Sequence, residues 1–167
     1  MNFSANNLKV LVAYDDFVSG CRAMALLKRL EGPGRRELNH IMLRFDLIAD
    51  VTFFELAVSE ALVADVVVIA TGEGNQLPRM VRQWVVQWML RKADSPQALV
   101  ATFEYNPAKA IGQGRIAADL EALADQGRVH FFCNGASQAR KLDFGKNPAE
   151  DWALDSALVR PQTAGQN

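Results

Sequence analysis

Hydrophobic positions along the chain fall in short runs that alternate with helical periodicities. Leu8 to Tyr14 is apolar apart from Lys9 and stops at Asp15-Asp16, the pattern of a buried strand ending in an acidic loop. Beyond it, Ala23, Leu26, Leu27 and Leu30 recur at i, i+3, i+4 and i+7, with Ser19 placed to cap this helix and Gly32-Pro33-Gly34 to stop it. Leu38 to Phe45 alternates instead, with Ile41, Leu43 and Phe45 on one side and His40 and Arg44 on the other, as a strand half exposed at a sheet edge does. Thr52 and Glu55 then have capping-box spacing ahead of Phe54, Ala57, Val58, Ala61 and Leu62 at helical period.

Val66 to Ala70 is β-branched and apolar without alternation, as a strand buried on both faces requires, and it breaks at Thr71-Gly72-Glu73-Gly74. Leu77, Val81, Trp84, Val85 and Trp88 predict the apolar face of the next helix, with Pro78 suited to its first turn. Ala98 to Phe103 is the fourth strand and ends in Glu104-Tyr105-Asn106-Pro107. Ile116, Leu120, Leu123 and Ala124 mark a fourth helix closed by Gly127, and Val129 to Cys133 is the fifth strand. A last helix over 149–159, anchored by Trp152, and a frayed tail over 161–167 complete a single domain spanning 1–160.

Strands that alternate with helices, the second strand being the half-exposed one, predict an α/β fold. Its core is a doubly wound five-stranded parallel sheet of order 2-1-3-4-5 in a three-layer sandwich. In such sheets ligands bind at the carboxyl ends of the strands, where the order reverses between strands one and three. The loops Asp15 to Ser19 and Thr71 to Asn75 occupy that place.

Composition narrows the function classes. Across 167 residues, half of them apolar, 18 Lys+Arg oppose 19 Asp+Glu for a net charge of −1, so no basic field attracts nucleic acid or an anionic membrane. The longest apolar stretch, Ala61 to Ala70, is interrupted by Asp65 and reaches roughly half the ~20 residues of a spanning helix. The start of the chain lacks a basic, then apolar, secretory pattern, so a cytoplasmic protein is expected. Cys21 and Cys133 with two histidines neither form a disulfide framework nor complete a zinc site.

Two families share this strand order, and the site loops resemble both. Ala70-Thr71-Gly72-Glu73-Gly74-Asn75-Gln76-Leu77-Pro78 is similar to the third-strand loop of flavodoxins, T-x-G-[ED]-G followed by a Leu-Pro-like pair, but is one residue shorter. Tyr14-Asp15-Asp16-Phe17-Val18-Ser19-Gly20 keeps the Tyr and Ser-Gly ends of the flavodoxin phosphate loop, yet carries two carboxylates where a flavin phosphate needs donors. The strand Lys9 to Tyr14 with Asp15-Asp16 resembles a response-regulator receiver, whose acidic pair holds Mg²⁺. In the receiver pattern the phosphoacceptor Asp ends strand three, where this chain has Ala70. Thr102 stands near the place of the receiver's switch hydroxyl, and Cys133-Asn134 stands where its Lys would be. A haloacid-dehalogenase-type nucleophile at Asp15 would need an acid two positions on, where Phe17 stands.

These resemblances imply a flavodoxin-like or receiver-like domain without phosphotransfer chemistry, a pseudo-receiver acting as a binding or protein-interaction module in bacterial-type signalling. A protein partner or self-association is expected, and neither nucleic acid nor membrane. The alternative is an electron-transfer protein carrying flavin mononucleotide (FMN), with Thr71 to Asn75 along the isoalloxazine and Tyr105 stacking beside it. Under either reading the ligand-binding set is Asp15, Asp16, Phe17, Ser19, Thr71, Gly72, Glu73, Gly74, Asn75, Glu104, Tyr105 and Asn106. Asp15 and Asp16 are the candidates for Mg²⁺. The simpler structural reading has Asp15 capping loop amides, Asp16 solvated, Trp84 and Trp88 in the core, and His40 and His130 without chemistry. Asp15, Asp16, Glu73 and Glu104 would make the crevice locally acidic, with no Lys or Arg among these loop residues.

Overall fold

The computed structural model describes residues 7–31, 38–72, 74–94, 97–104 and 106–134. Strands β1 (Leu8–Tyr14), β2 (Leu38–Arg44), β3 (Val66–Thr71), β4 (Ala98–Phe103) and β5 (His130–Asn134) form one parallel sheet of order β2-β1-β3-β4-β5. Helix α1 (Phe17–Leu30) follows β1, α2 (Phe45–Ala49) and α3 (Val51–Val63) follow β2, and α4 (Arg79–Arg91) follows β3. A 3₁₀ turn at Pro107–Lys109 leads from β4 into α5 (Ala110–Gly127). The fold is thus the expected α/β three-layer arrangement, with β2 at an edge.

Side-chain alternation along the central strands divides the interior. Val10 and Val12 of β1 and Val68 and Ala70 of β3 point to one face, where α1 covers them with Ala23 and Leu27. Leu11, Ala13, Val67, Ile69, Leu99 and Ala101 point to the other, where they meet residues of α2 to α5. Trp84 and Trp88 are fully buried in this larger core, stacked with ring centroids 6.5 Å apart. Strands buried on both faces explain why the central runs carry no polar alternation.

Helix ends differ from expectation in instructive ways. The N-cap of α1 is Asp16, whose Oδ1 accepts the Ser19 N–H at 2.7 Å; Ser19 itself lies inside the first turn. Asp50, not Thr52, caps α3 by accepting the Thr52 N–H at 2.8 Å. Phe45 leaves the alternating strand and becomes the first residue of α2, buried. At the end of α5 the left-handed residue is Arg128, with φ of 54°. Gly127 is the last residue of α5, where an added Cβ would lie 3.0 Å from the Met89 side chain.

By compactness the chain divides into Met1–Ser137 and Gln138–Asn167, and every described residue belongs to the first unit. The expected helix over 149–159 with Trp152, the domain limit at 160 and the tail over 161–167 lie outside the described residues. Among the described residues no helix is long and apolar enough to cross a membrane.

Candidate functional site

Tyr14 lies in register with Ala70, so the loops after β1 and β3 leave the sheet side by side. The Asp15 N–H donates to the Ala70 carbonyl at 3.2 Å, which carries the ladder one residue beyond the strand. The Asp15 side chain turns back toward β3. Its Oδ2 accepts the Thr71 hydroxyl at 2.6 Å and the Gly72 N–H at 2.9 Å, and its Oδ1 accepts the Asp16 N–H at 2.8 Å. The Ser19 hydroxyl also favours the charged form of this carboxylate. Burial pushes the Asp15 carboxyl up, but the bonds from Ser19, Thr71, Gly72 and Asp16 outweigh it and hold the group below its ordinary range.

Asp16 is engaged as the α1 cap. Phe17 points outward and is 81% exposed. At Gly20 a Cβ would lie 3.0 Å from the Tyr14 ring, so glycine lets the first turn of α1 sit closely over the end of β1.

Helix α1 also delivers a cation that the loop sequences do not contain. The Arg22 Nη2 donates to Ser19 Oγ at 3.2 Å and to the Thr71 carbonyl at 3.3 Å, while Nη1 approaches Glu104 Oε2 at 3.9 Å. Its side chain is 23% exposed, and its buried Nε has no hydrogen-bond partner among the described residues. The expected acidic crevice therefore has a guanidinium beside it. The signal was present as the i, i+3 spacing of Ser19 and Arg22, which puts both on one helical side.

The rest of the set is brought near in part. Gly74 adopts a φ of 93°, a left-handed turn that glycine permits. Asn75 packs against α5, where a Cβ on Gly112 would lie 2.3 Å from Asn75 Oδ1 and 2.7 Å from the Gly74 carbonyl. Glu104 has its carbonyl held by Gln113 Nε2 at 2.8 Å, and Asn106 caps the 3₁₀ turn by accepting the Ala108 N–H at 3.0 Å. Glu73 and Tyr105 lie outside the described residues. Gln113 and Gly112, which seat the two loops on α5, escape the sequence reading because they sit inside a helical periodicity. Thr102 is buried within β4. A separate cavity of about 180 Å³, lined by Lys9, Asn39, Ile41, Glu60 and Val63 among others, opens at the amino ends of β1 and β2, away from these loops.

The arrangement does not fit the groups that the resemblances imply. In the flavodoxin resemblance the phosphate would meet the loop after β1, where the Asp15 carboxylate stands, and the isoalloxazine would lie along Thr71 and Gly72, whose hydroxyl and N–H donate to Asp15. A cation between Asp15 and Asp16 would compete with N–H and O–H donors at both Asp15 oxygens and with the Ser19 N–H at Asp16 Oδ1. Among the described residues no group of three or more His, Cys, Asp or Glu could hold a metal ion. No protein-family model matches the sequence, and no curated protein matches it.

Proposed function

We propose that the chain is a non-catalytic binding module of flavodoxin-like or receiver-like build that works in the cytoplasm, in signalling, by docking a protein partner or a second copy. It acts on neither nucleic acid nor membrane. The observation that carries this reading is a set of exposed apolar side chains at helix starts. Phe17 and Val18 open α1, Val51 opens α3, Ile111 is the second residue of α5, and Leu47 lies in the short α2. Each of these helices starts where a strand or the preceding helix ends, at the carboxyl edge of the sheet. Phe17, Val51 and Ile111 are 81%, 85% and 77% exposed. Exposed apolar residues also stand at the far ends of helices, at Leu30, Val63 and Leu90, but the most exposed of all, Phe17, Val51 and Ile111, are at helix starts, and such residues suit an interaction surface.

Two further features support the non-catalytic part. Ala70, the penultimate residue of β3, stands where the receiver resemblance calls for a carboxylate nucleophile. The Asp15 carboxylate spends its lone pairs on loop donors.

Sedimentation velocity over a wide concentration range, with cross-linking to proteins of the native host, tests the reading. Association that weakens in Phe17→Ser and Val51→Ser is the expected result. If both variants associate and cross-link as the wild type does, the carboxyl edge is not the docking surface. An absorbance spectrum of the purified protein, before and after added FMN, decides the electron-transfer alternative: tight uptake of flavin would replace this proposal.

A further inference from the structure

The donors gathered at the junction of β1 and β3 are of the kinds that bind an oxyanion: two hydroxyls and two backbone N–H groups. Three of them donate to the carboxylate of Asp15, two on Oδ2 at 2.6 and 2.9 Å and the Asp16 N–H on Oδ1, and the Ser19 hydroxyl also favours its charged form. Behind them the Arg22 guanidinium donates to the same Ser19 oxygen and to the carbonyl of Thr71. Its Nε is buried without a partner among the described residues, so its donor capacity exceeds what those residues take up. Helices pack closely on both loops: Tyr14 lies against Gly20 of α1, and Asn75 against Gly112 of α5.

We infer that Asp15 is the crevice's own anion: its carboxylate fills, from within the chain, an oxyanion site built by Ser19, Thr71, Gly72 and Asp16, and thereby excludes phosphate-bearing ligands. This goes beyond the docking proposal, because it assigns a ligand class to the crevice and a reason that the native chain rejects it. The carboxylate does two things at once. It satisfies the donors, and it places a like charge where a phosphate or sulfate would sit. Removing it takes away the acceptor that these donors share and the like charge with it.

The test is calorimetric titration of inorganic phosphate, and separately of sulfate, into the full chain and into Asp15→Ala. The wild type is expected to show no saturable binding. Asp15→Ala is expected to bind both anions at least about a hundred-fold more tightly, the scale of losing a like unit charge at contact distance. Adding Thr71→Val or Arg22→Gln to Asp15→Ala is expected to weaken that binding. A folded Asp15→Ala that binds no better than the wild type overturns the inference, as does binding that Thr71→Val leaves unchanged or wild-type binding of equal strength.

Should Asp15→Ala fail to fold, the wild type still answers by NMR. The Gly72 amide and the Asp15 carboxyl carbon are expected to titrate together in acid, with a common midpoint below that of an ordinary aspartate. Independent titration of the two would overturn the inference. Phosphate binding and edge association are read in separate assays, so either proposal can fail alone.

Discussion

Asp15 shows how one side chain can join two strand ends. Its carboxylate accepts from donors on both loops, so its removal takes a shared acceptor from the Asp16 and Gly72 N–H groups and the Thr71 hydroxyl. Substitution to Asn keeps the shape but gives up the charge-assisted part of these bonds, and about 1–3 kcal/mol of stability at neutral pH is expected to go with it. The pH dependence has a definite sign. Because the folded-state carboxyl titrates below its ordinary value of 3.8, its contribution is complete above that value and is lost as pH falls through the folded value. Asp46 and Glu55 are also held low, by hydrogen bonds from Arg44 and Arg91. The informative quantity is therefore the difference between wild type and Asp15→Asn: in urea unfolding followed from neutral pH into acid, the two curves are expected to converge.

The buried tryptophans make a second contrast between single residues. The Trp88 Nε1 donates to Gln97 Oε1, and Gln97 in turn donates to the carbonyls of Ala61 and Ala64 near the end of α3. The Nε1 of Trp84 has no partner. Both Phe substitutions lose apolar volume, but only Trp88→Phe strands a buried amide oxygen. Trp88→Phe is expected to cost about 1–3 kcal/mol more than Trp84→Phe in urea denaturation.

Among the helices, α5 couples the core to the site. Ile116, Leu120, Leu123 and Ala124 bury one side against the sheet, while the first turns hold the loops through Gly112 and Gln113. Gly112 is required by close approach, since the atoms that a Cβ would meet include backbone. Gly114, two residues on, has nothing within 4 Å of the same added atom. Gly114→Ala is therefore expected to stabilise the protein by about 0.5–1 kcal/mol, through helix propensity and the less flexible unfolded chain. Gly112→Ala is expected to destabilise it and to shift the amide resonances of Gly74 and Asn75. Thermal unfolding of the pair checks the first contrast and a heteronuclear correlation spectrum the second. A common response of both variants would mean that α5 does not seat the loop.

At the scale of the whole molecule, charge and apolar surface are distributed differently from their averages. A net charge of −1 leaves little long-range field, so association is expected to depend on apolar contact more than on steering, and to change little with moderate salt. Phe17 and Val51 bury little in the chain itself. Phe17→Ser and Val51→Ser are accordingly expected to leave unfolding free energy within about 0.5 kcal/mol of wild type while they weaken association. A large stability loss in either would mean that the side chain serves the fold and not the surface.

Much of the architecture is legible in the order of residues alone. The limits of β1 and β4 and the edge position of β2 follow from hydrophobic period, because burial on one face or two leaves a direct imprint on the pattern. So do the core positions of Trp84, Trp88, Ile116 and Leu120. The strand order follows in turn from handed crossovers and the exposed second strand, and with it the place where the two site loops meet. Helix caps were less legible: Asp16 and Ser19, or Asp50 and Thr52, all suit the role, and only backbone geometry selects between them. The site's internal arrangement was decided by tertiary structure. Whether Asp15 faces solvent or Thr71, and whether Arg22 reaches the crevice, depends on residues about fifty positions apart in the chain, which only the pairing of β1 with β3 brings within hydrogen-bonding distance. Local sequence carries the period of burial, while the direction of a polar side chain is set by the partners that the fold brings to it.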